Sequence, residues 1–288
     1  MTKRILVLGS TGLIGHQVFN YLQANGQYEL YDFAYRKKLQ RGTILLDARE
    51  EFNFLNSIAN VAPDIIVNCM GILINESNKN PENAIFLNAY IPHRLARLAD
   101  EINAKLIHIS TDCVFSGEND SAYIETDRKD GLGMYSKTKN LGEIIDENHL
   151  TLRTSVVGPE LKKDGSELFH WFMLQSGTIS GYTKSIWSGV TSVELARAVE
   201  WSIRKDIIGL YHVTNNTSIS KFHLINLFQK YTSANIKIIP TDGQKNNKSF
   251  ADTRKLIDFK IPSYDEMIAE MVALMVSQRQ LYPHYRLK

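Results

Sequence analysis

The stretch RILVLGSTGLIG, residues 4–15, decides how the rest of the chain is read. RILVLG is a continuous β-branched and leucine run of the kind buried on both faces of a parallel sheet. Gly9, Gly12 and Gly15 follow it directly, and GLIGHQVFNYLQANG then runs at helical spacing to Gly26, a C-terminal cap. A glycine-rich turn between a strand and a helix is the context of a dinucleotide fingerprint. The glycines permit a tight turn and a close approach of backbone to a pyrophosphate, which rests on the positive end of the helix. The loop Gly9, Thr11, Gly12, Leu13, Ile14 and Gly15 is therefore the first candidate cofactor site, although its Gly-x-x-Gly-x-x-Gly spacing departs from the commoner Gly-x-Gly-x-x-Gly.

Outward from this unit, apolar strands alternate with helical patterns. YELYDFAY and GTILLD read as the second and third strands, EEFNFLNSIANV as a helix and PDIIVNCMG as the fourth strand. NAIFLNAYIPHRLARLADEIN is a long amphipathic helix leading into the strand AKLIHIS. A helix from about Tyr135 and the strand HLTLRTSVVG complete the series. This alternation predicts an α/β fold with a doubly wound parallel, Rossmann-type sheet. Beyond Gly158 the rhythm becomes irregular. The expected division is a cofactor-binding domain over 1–158 and a smaller mixed α/β substrate lobe over 159–288, ending in a C-terminal helix.

The 288 residues carry 33 Lys+Arg against 31 Asp+Glu, a formal +2, too balanced for a nucleic-acid or membrane-surface protein. Cys69 and Cys113 show no metal-type spacing, so neither a disulfide framework nor a metal site is expected, and a cytoplasmic location suits them. No segment reaches the ~18 apolar residues of a membrane span, and the N-terminal run lacks a signal-peptide pattern.

Three constellations carry chemistry. The second strand ends in AYRKK, where a basic residue accommodates a 2′-phosphate and an acidic one would bind a ribose hydroxyl. Arg36 points to NADPH, with NADH as the alternative and a solvated basic turn as the bland reading; Asp32 lies in mid-strand. Ser110, Thr111 and Asp112 fall at the carboxyl end of a parallel strand, where open α/β sheets bind ligands. In GMYSKTKN, residues 133–140, Tyr135 and Lys139 lie four apart on one helical face. A cation there favours the phenolate and makes the tyrosine a usable proton donor or acceptor.

GSTGLIG, STDCVFSG and YSKTKNLGE together resemble the extended short-chain dehydrogenase/reductases, and specifically the dTDP-4-dehydrorhamnose reductase branch, over the whole chain. The resemblance implies a cytoplasmic NADPH-dependent reductase of the 4-keto group of a nucleoside-diphosphate-linked 6-deoxy sugar. The substrate would be dTDP-4-dehydrorhamnose or a UDP-linked 2-acetamido-2,6-dideoxy-4-hexulose, and the product would supply surface polysaccharide synthesis. By the same resemblance Tyr135 protonates the carbonyl oxygen, Thr111 hydrogen-bonds it, and Lys139 tunes the tyrosine and holds the nicotinamide ribose. Asp47 would contact the adenine, and Cys69, Met70 and Gly71 would pass under the cofactor. Asp112, Cys113, Val114, Arg153 and Trp187 would meet the sugar nucleotide, and Asn88 would lie near the site. The branch also allows for a homodimer.

Cys113 stands where the rhamnose enzymes carry tyrosine, and where the superfamily's 4,6-dehydratases carry a glutamate that performs elimination. Dehydration is thus not implied. An epimerase of the same superfamily and a non-catalytic NADP-binding regulatory subunit are the alternatives. Retention of Thr111, Tyr135 and Lys139 together argues against the latter. His108, His170, His212 and His223 read as packed or surface histidines, Met271 and Met275 as core, and the tail QRQLYPHYRLK as packing on the body or on another subunit.

Overall fold

The computed structural model describes residues 2–253 and 259–287. Its contacts divide the chain into two compact units: residues 1–115, 128–153 and 196–211 form one, and 116–127, 154–195 and 212–288 the other. The division is discontinuous, unlike the single boundary after Gly158 expected above. Segments 116–127 and 196–211 lie on opposite sides of that boundary from their units, a crossing that local patterning does not encode.

Unit 1 is built on β1 (Arg4–Leu8), α1 (Gly15–Asn25), β2 (Glu29–Ala34), β3 (Ile44–Leu45), α2 (Glu51–Val61) and β4 (Ile65–Asn68). Next come α3 (Ile74–Lys79), α4 (Pro81–Ala84), a π-helical turn (Ile85–Tyr90), α5 (Ile91–Glu101), β5 (Lys105–Thr111), α6 (Met134–Leu141) and β6 (Leu150–Thr154). With the strand Gly209–His212 beyond β6, these strands form a seven-stranded sheet in which β6, β5, β4, β1, β2 and β3 follow in that order. β1 pairs in parallel with β2 and β4, β2 with β3, and β4 with β5. The chain winds outward from β1 to β3, then returns to the opposite side of β1 with β4. That reversal is the switch point at which doubly wound sheets bind ligands.

Ile5, Leu6, Val7 and Leu8 are fully buried, as are Ile66, Val67, Leu106 and Ile107. The near-continuous apolar runs are what a sheet covered on both faces requires. Leu6, Leu8 and Ile66 pack with Phe54 and Ile58 of α2 and with Ile91, Leu95 and Ala99 of α5. Burying one such side chain is worth roughly 1.5–3 kcal/mol.

The long helical segment around residues 81–101 is interrupted by the π turn at Ile85–Tyr90, which the 3.6-residue periodicity did not reveal. Gly142, at the end of α6, packs against that turn so closely that a Cβ there would lie 1.9 Å from the Asn88 carbonyl oxygen. The glycine of NLGE is thereby explained: no other residue fits.

In unit 2, Gly177–Tyr182 pairs in parallel with Ile236–Thr241, and Ser185–Trp187 pairs with Ile219–Ser220 and Asn246–Asn247. The helices Lys221–Tyr231 and Tyr264–Ser277 accompany them, the latter opened by a Ser263/Glu266 capping box. Met271 and Met275 are buried in that second helix, as expected. The C-terminal tail packs on this unit's own body: Tyr282 and Tyr285 are buried, and the Tyr285 hydroxyl lies 2.6 Å from His170 Nδ1.

Candidate active site in unit 1

The glycine loop sits over the switch point. Gly9 takes φ +75°, a left-handed conformation, and a Cβ on it would lie 3.1 Å from Met70 N and 3.2 Å from the Cys69 carbonyl. A Cβ on Gly15 would lie 2.2 Å from Gly9 O. The loop therefore closes over the end of β4 and onto the start of α1 only because both positions are glycine. Helix α1 begins at Gly15 with no side chain capping it. A polar ligand rather than a side chain suits that end, and these residues fit a dinucleotide pyrophosphate.

Asp32 supports the loop from below. Ser10 Oγ donates to its Oδ2 at 2.6 Å and Gln40 Nε2 to its Oδ1 at 3.0 Å, so the carboxylate is fully engaged and buried in mid-strand. The residues that follow β2 directly, Tyr35, Arg36, Lys37 and Lys38, include no acidic one, and the carboxylate that reaches this tip, Asp47, comes from the segment after β3. There Tyr35 is about half exposed, with the Arg36 guanidinium 4.8 Å and the Arg49 guanidinium 5.6 Å from its ring centroid. Arg49 Nη2 donates to the Tyr35 hydroxyl at 2.6 Å and also grips Asp47 through Nε at 3.0 Å. Hydrogen bonds from Arg49 hold the Asp47 carboxyl below the usual range, against its partial burial. Arg49 was not singled out in the sequence; its only signal was two residues' distance from Asp47 in LLDARE.

After β4, Cys69 N donates to Leu8 O and Met70 N to Asn68 Oδ1, at 3.1 Å each. Burial pushes the Cys69 thiol up to about 12, which favours the protonated thiol over the thiolate. A Cβ on Gly71 would lie 3.3 Å from Asn88 Oδ1. Asn88 is fully buried on the π turn; its amide accepts from Ile72 N at 2.8 Å and donates to Ile72 O at 3.0 Å and Thr138 Oγ1 at 3.2 Å. It ties the loop after β4 to α6.

Thr111 ends β5. Its Oγ1 accepts from Cys113 N at 3.2 Å and donates to Asp112 Oδ1 at 3.1 Å, which opens a short 3-10 turn, Asp112–Val114. Helix α6, which carries Tyr135 and Lys139, packs on both that turn and β5, which Thr111 ends. Tyr135 is half-buried in the first turn of α6, whereas Lys139 is buried one turn on. Lys139 Nζ donates to the Ile109 carbonyl at 2.7 Å and lies 3.4 Å from His108 Nε2. Burial lowers its ammonium to about 8, against the attraction of Glu143.

Glu143, two residues past α6, is the centre of a buried ionic group absent from the sequence reading's candidate sites. It accepts from Ser110 Oγ at 2.6 Å, from Arg153 Nε at 2.8 Å and Nη2 at 2.7 Å, and from Lys129 Nζ at 2.9 Å. Burial alone would raise its carboxyl, but Arg153, Ser110 and Lys129 outweigh it and hold the group ionised.

Three of the residues expected to meet the sugar nucleotide have buried side chains. Arg153 is fully buried, its guanidinium bound to Glu143 and 5.1 Å from the Phe115 ring centroid. Val114 is core, 1% exposed. Trp187 is buried in unit 2 with its ring 5.6 Å from that of Tyr264. Each of these side chains is packed inside its own unit. Of the other two, Asp112 is buried beneath Thr111 and Cys113 is partly exposed.

The RmlD substrate binding domain family matches residues 3–276. The dTDP-4-dehydrorhamnose reductase of Salmonella typhimurium is 26% identical over 94% of this chain and 97% of its own length. That of Escherichia coli K12 is 32% identical over 53% of this chain, which spans only about half (51%) of that relative. Among solved structures, a Bacillus anthracis dTDP-4-dehydrorhamnose reductase in complex with NADP superposes with a TM-score of 0.83 at 22% identity, over 95% of this chain and all (100%) of that one. The family model spans nearly the whole chain: the chain belongs to the RmlD substrate binding domain family, within the dTDP-4-dehydrorhamnose reductase-like branch of the extended short-chain dehydrogenase/reductases.

Proposed function

We propose that this protein is an NADPH-dependent oxidoreductase that reduces the 4-keto group of a nucleoside-diphosphate-linked 6-deoxy sugar. The observation that carries the reading is that α6, which bears Tyr135 and Lys139, packs on β5, which ends in Thr111, in the unit whose glycine loop fits a dinucleotide. Gly9, Thr11, Gly12, Leu13, Ile14 and Gly15 hold the pyrophosphate, and Cys69, Met70 and Gly71 line the cofactor from the β4 side. Arg36 takes the 2′-phosphate, Arg49 stands beside it, and Asp47 faces the adenine. The bound cofactor supplies hydride to the sugar carbonyl carbon. Tyr135 gives its phenolic proton to the carbonyl oxygen, and Thr111 donates a hydrogen bond to the same oxygen once its hydroxyl turns from Asp112. Lys139 supplies positive charge that eases the tyrosine's loss of its proton and holds the nicotinamide ribose. Asp112 and Cys113 border the sugar.

Deuterium at the transferred position of NADPH provides the test. A reductase leaves that deuterium on C4 of the product sugar with one cofactor oxidised per turnover. An epimerase returns the hydride and accumulates no oxidised cofactor, so unlabelled product without net oxidation would refute the reading.

A further inference from the structure

Lys139 is buried against a histidine, and the hydrogen bonds around the pair fix which nitrogen of that histidine carries its proton. Asn68 Oδ1 accepts from Met70 N at 3.1 Å, which leaves its NH2 end against His108 Nδ1, also at 3.1 Å. Turning the amide over would set its NH2 against the Met70 N–H, donor against donor. His108 Nδ1 is therefore the acceptor, and in a neutral imidazole the single proton sits on Nε2. Nε2 is the atom 3.4 Å from Lys139 Nζ. An ammonium has no lone pair, so the imidazole N–H opposes it. A neutral amine accepts that N–H while still donating to Ile109 O at 2.7 Å.

We propose that His108 is a positioning residue for Lys139: held by Asn68, its Nε2–H faces Nζ and favours the neutral amine in the free protein. This rests on reading Lys139 as a working group of the reductase, a reading that needs its positive charge in the loaded enzyme; the proposal concerns the protein without cofactor or substrate, where Nε2–H lowers the pH at which that charge is lost. His108 itself stays unprotonated, because burial first and the Lys139 charge second hold its imidazolium well below the ordinary range. The other groups acting on Lys139 are Glu143 beyond its own helix, which favours the ammonium, and the Cys69 thiol after β4; Tyr135 precedes it by one turn, and His93 on α5 acts on His108. Glu143 is already paired with Arg153 and Lys129, which blunts its pull and leaves the histidine free to oppose it.

The test is long-range 15N NMR of the histidine rings in the full-length protein without cofactor or substrate, with the His108 signals identified by their loss in His108→Phe. Nε2 should carry the proton and Nδ1 should not. In protein labelled with 13C-lysine, the Lys139 titration midpoint, about 8 in the native chain, should rise by about one pH unit in His108→Phe, since the variant removes the hydrogen bond to the amine and the repulsion of the ammonium. Asn68→Asp offers an acceptor to Nδ1–H instead, so it should move the proton to Nδ1; this variant decides the matter if His108→Phe fails to fold. A proton on Nδ1 in the native protein, or a Lys139 midpoint identical with and without the imidazole, would overturn the proposal. Absence of turnover with the expected tautomer intact would sink the reductase reading and leave this one standing.

Discussion

Two clusters of charge in unit 1 are built on opposite principles. Around α6, Lys139 and Glu143 are buried, and each polar atom of the group has a fixed partner: Ile109 O and His108 for the lysine, Ser110, Arg153 and Lys129 for the glutamate. At the tip of β2, Arg36, Arg49 and Asp47 gather around a Tyr35 ring that is 48% exposed. In the first cluster the protein decides protonation and position, because desolvation makes each unpaired charge expensive. In the second, water screens the charges, each contributes little to stability, and they remain available to an incoming anion. Under the proposed function, the first serves the chemistry and the second cofactor discrimination.

Substitutions should separate the two. The largest effect is expected at Tyr135, whose replacement by Phe removes the proton donor: turnover should fall by roughly 10²–10⁴ while NADPH affinity, read by fluorescence titration, stays within about twofold. Next comes the buried ion pair. Glu143→Ala strands Arg153 in the interior and should cost about 3–5 kcal/mol in denaturant unfolding, whereas Arg49→Ala at the strand tip should cost less than about 1 kcal/mol. Similar losses from the two would dissolve the distinction.

The pH dependence of stability sharpens it further. Lys139 titrates at about 8 in the folded protein and near its ordinary 10.5 when unfolded. Between those values the unfolded chain binds the additional proton, so this group makes stability rise as pH rises through that window, by an amount on the order of 3 kcal/mol. Lys139→Met should abolish that part of the rise. The smallest effect belongs to the strand tip: Arg36→Ala should raise the KM for NADPH about tenfold and Arg49→Ala by less, with the KM for NADH unchanged in both. A tenfold change corresponds to about 1.4 kcal/mol, and the difference between the cofactors should shrink at high salt.

Much of this was legible in the sequence because it is local. RILVLG followed by the glycine turn fixed β1, the loop and α1 together, and the fourfold spacing of Tyr135 and Lys139 placed both on α6. What escaped was set by distant partners. Nothing near Arg153 reveals that Glu143 will claim it, and nothing near Trp187 reveals that Tyr264 packs on it. His108 was legible as a packed or surface histidine, and it is fully buried. That it abuts Lys139, 31 residues away, is visible only once β5 and α6 are side by side. The π turn at Ile85–Tyr90 was hidden for a different reason, since one extra residue in a turn leaves the apolar stripe on either side intact.

The central claim is that Tyr135, on its helix with Lys139, delivers a proton to a reduced sugar ketone. Its most direct test is the loss of NADPH absorbance with dTDP- and UDP-linked 4-keto-6-deoxy sugars, run in parallel on the native protein and on Tyr135→Phe. Consumption of NADPH with at least one sugar, abolished in the variant while cofactor binding persists, is the predicted result. Equal consumption by both proteins, or none by either while NADPH still binds, would contradict it.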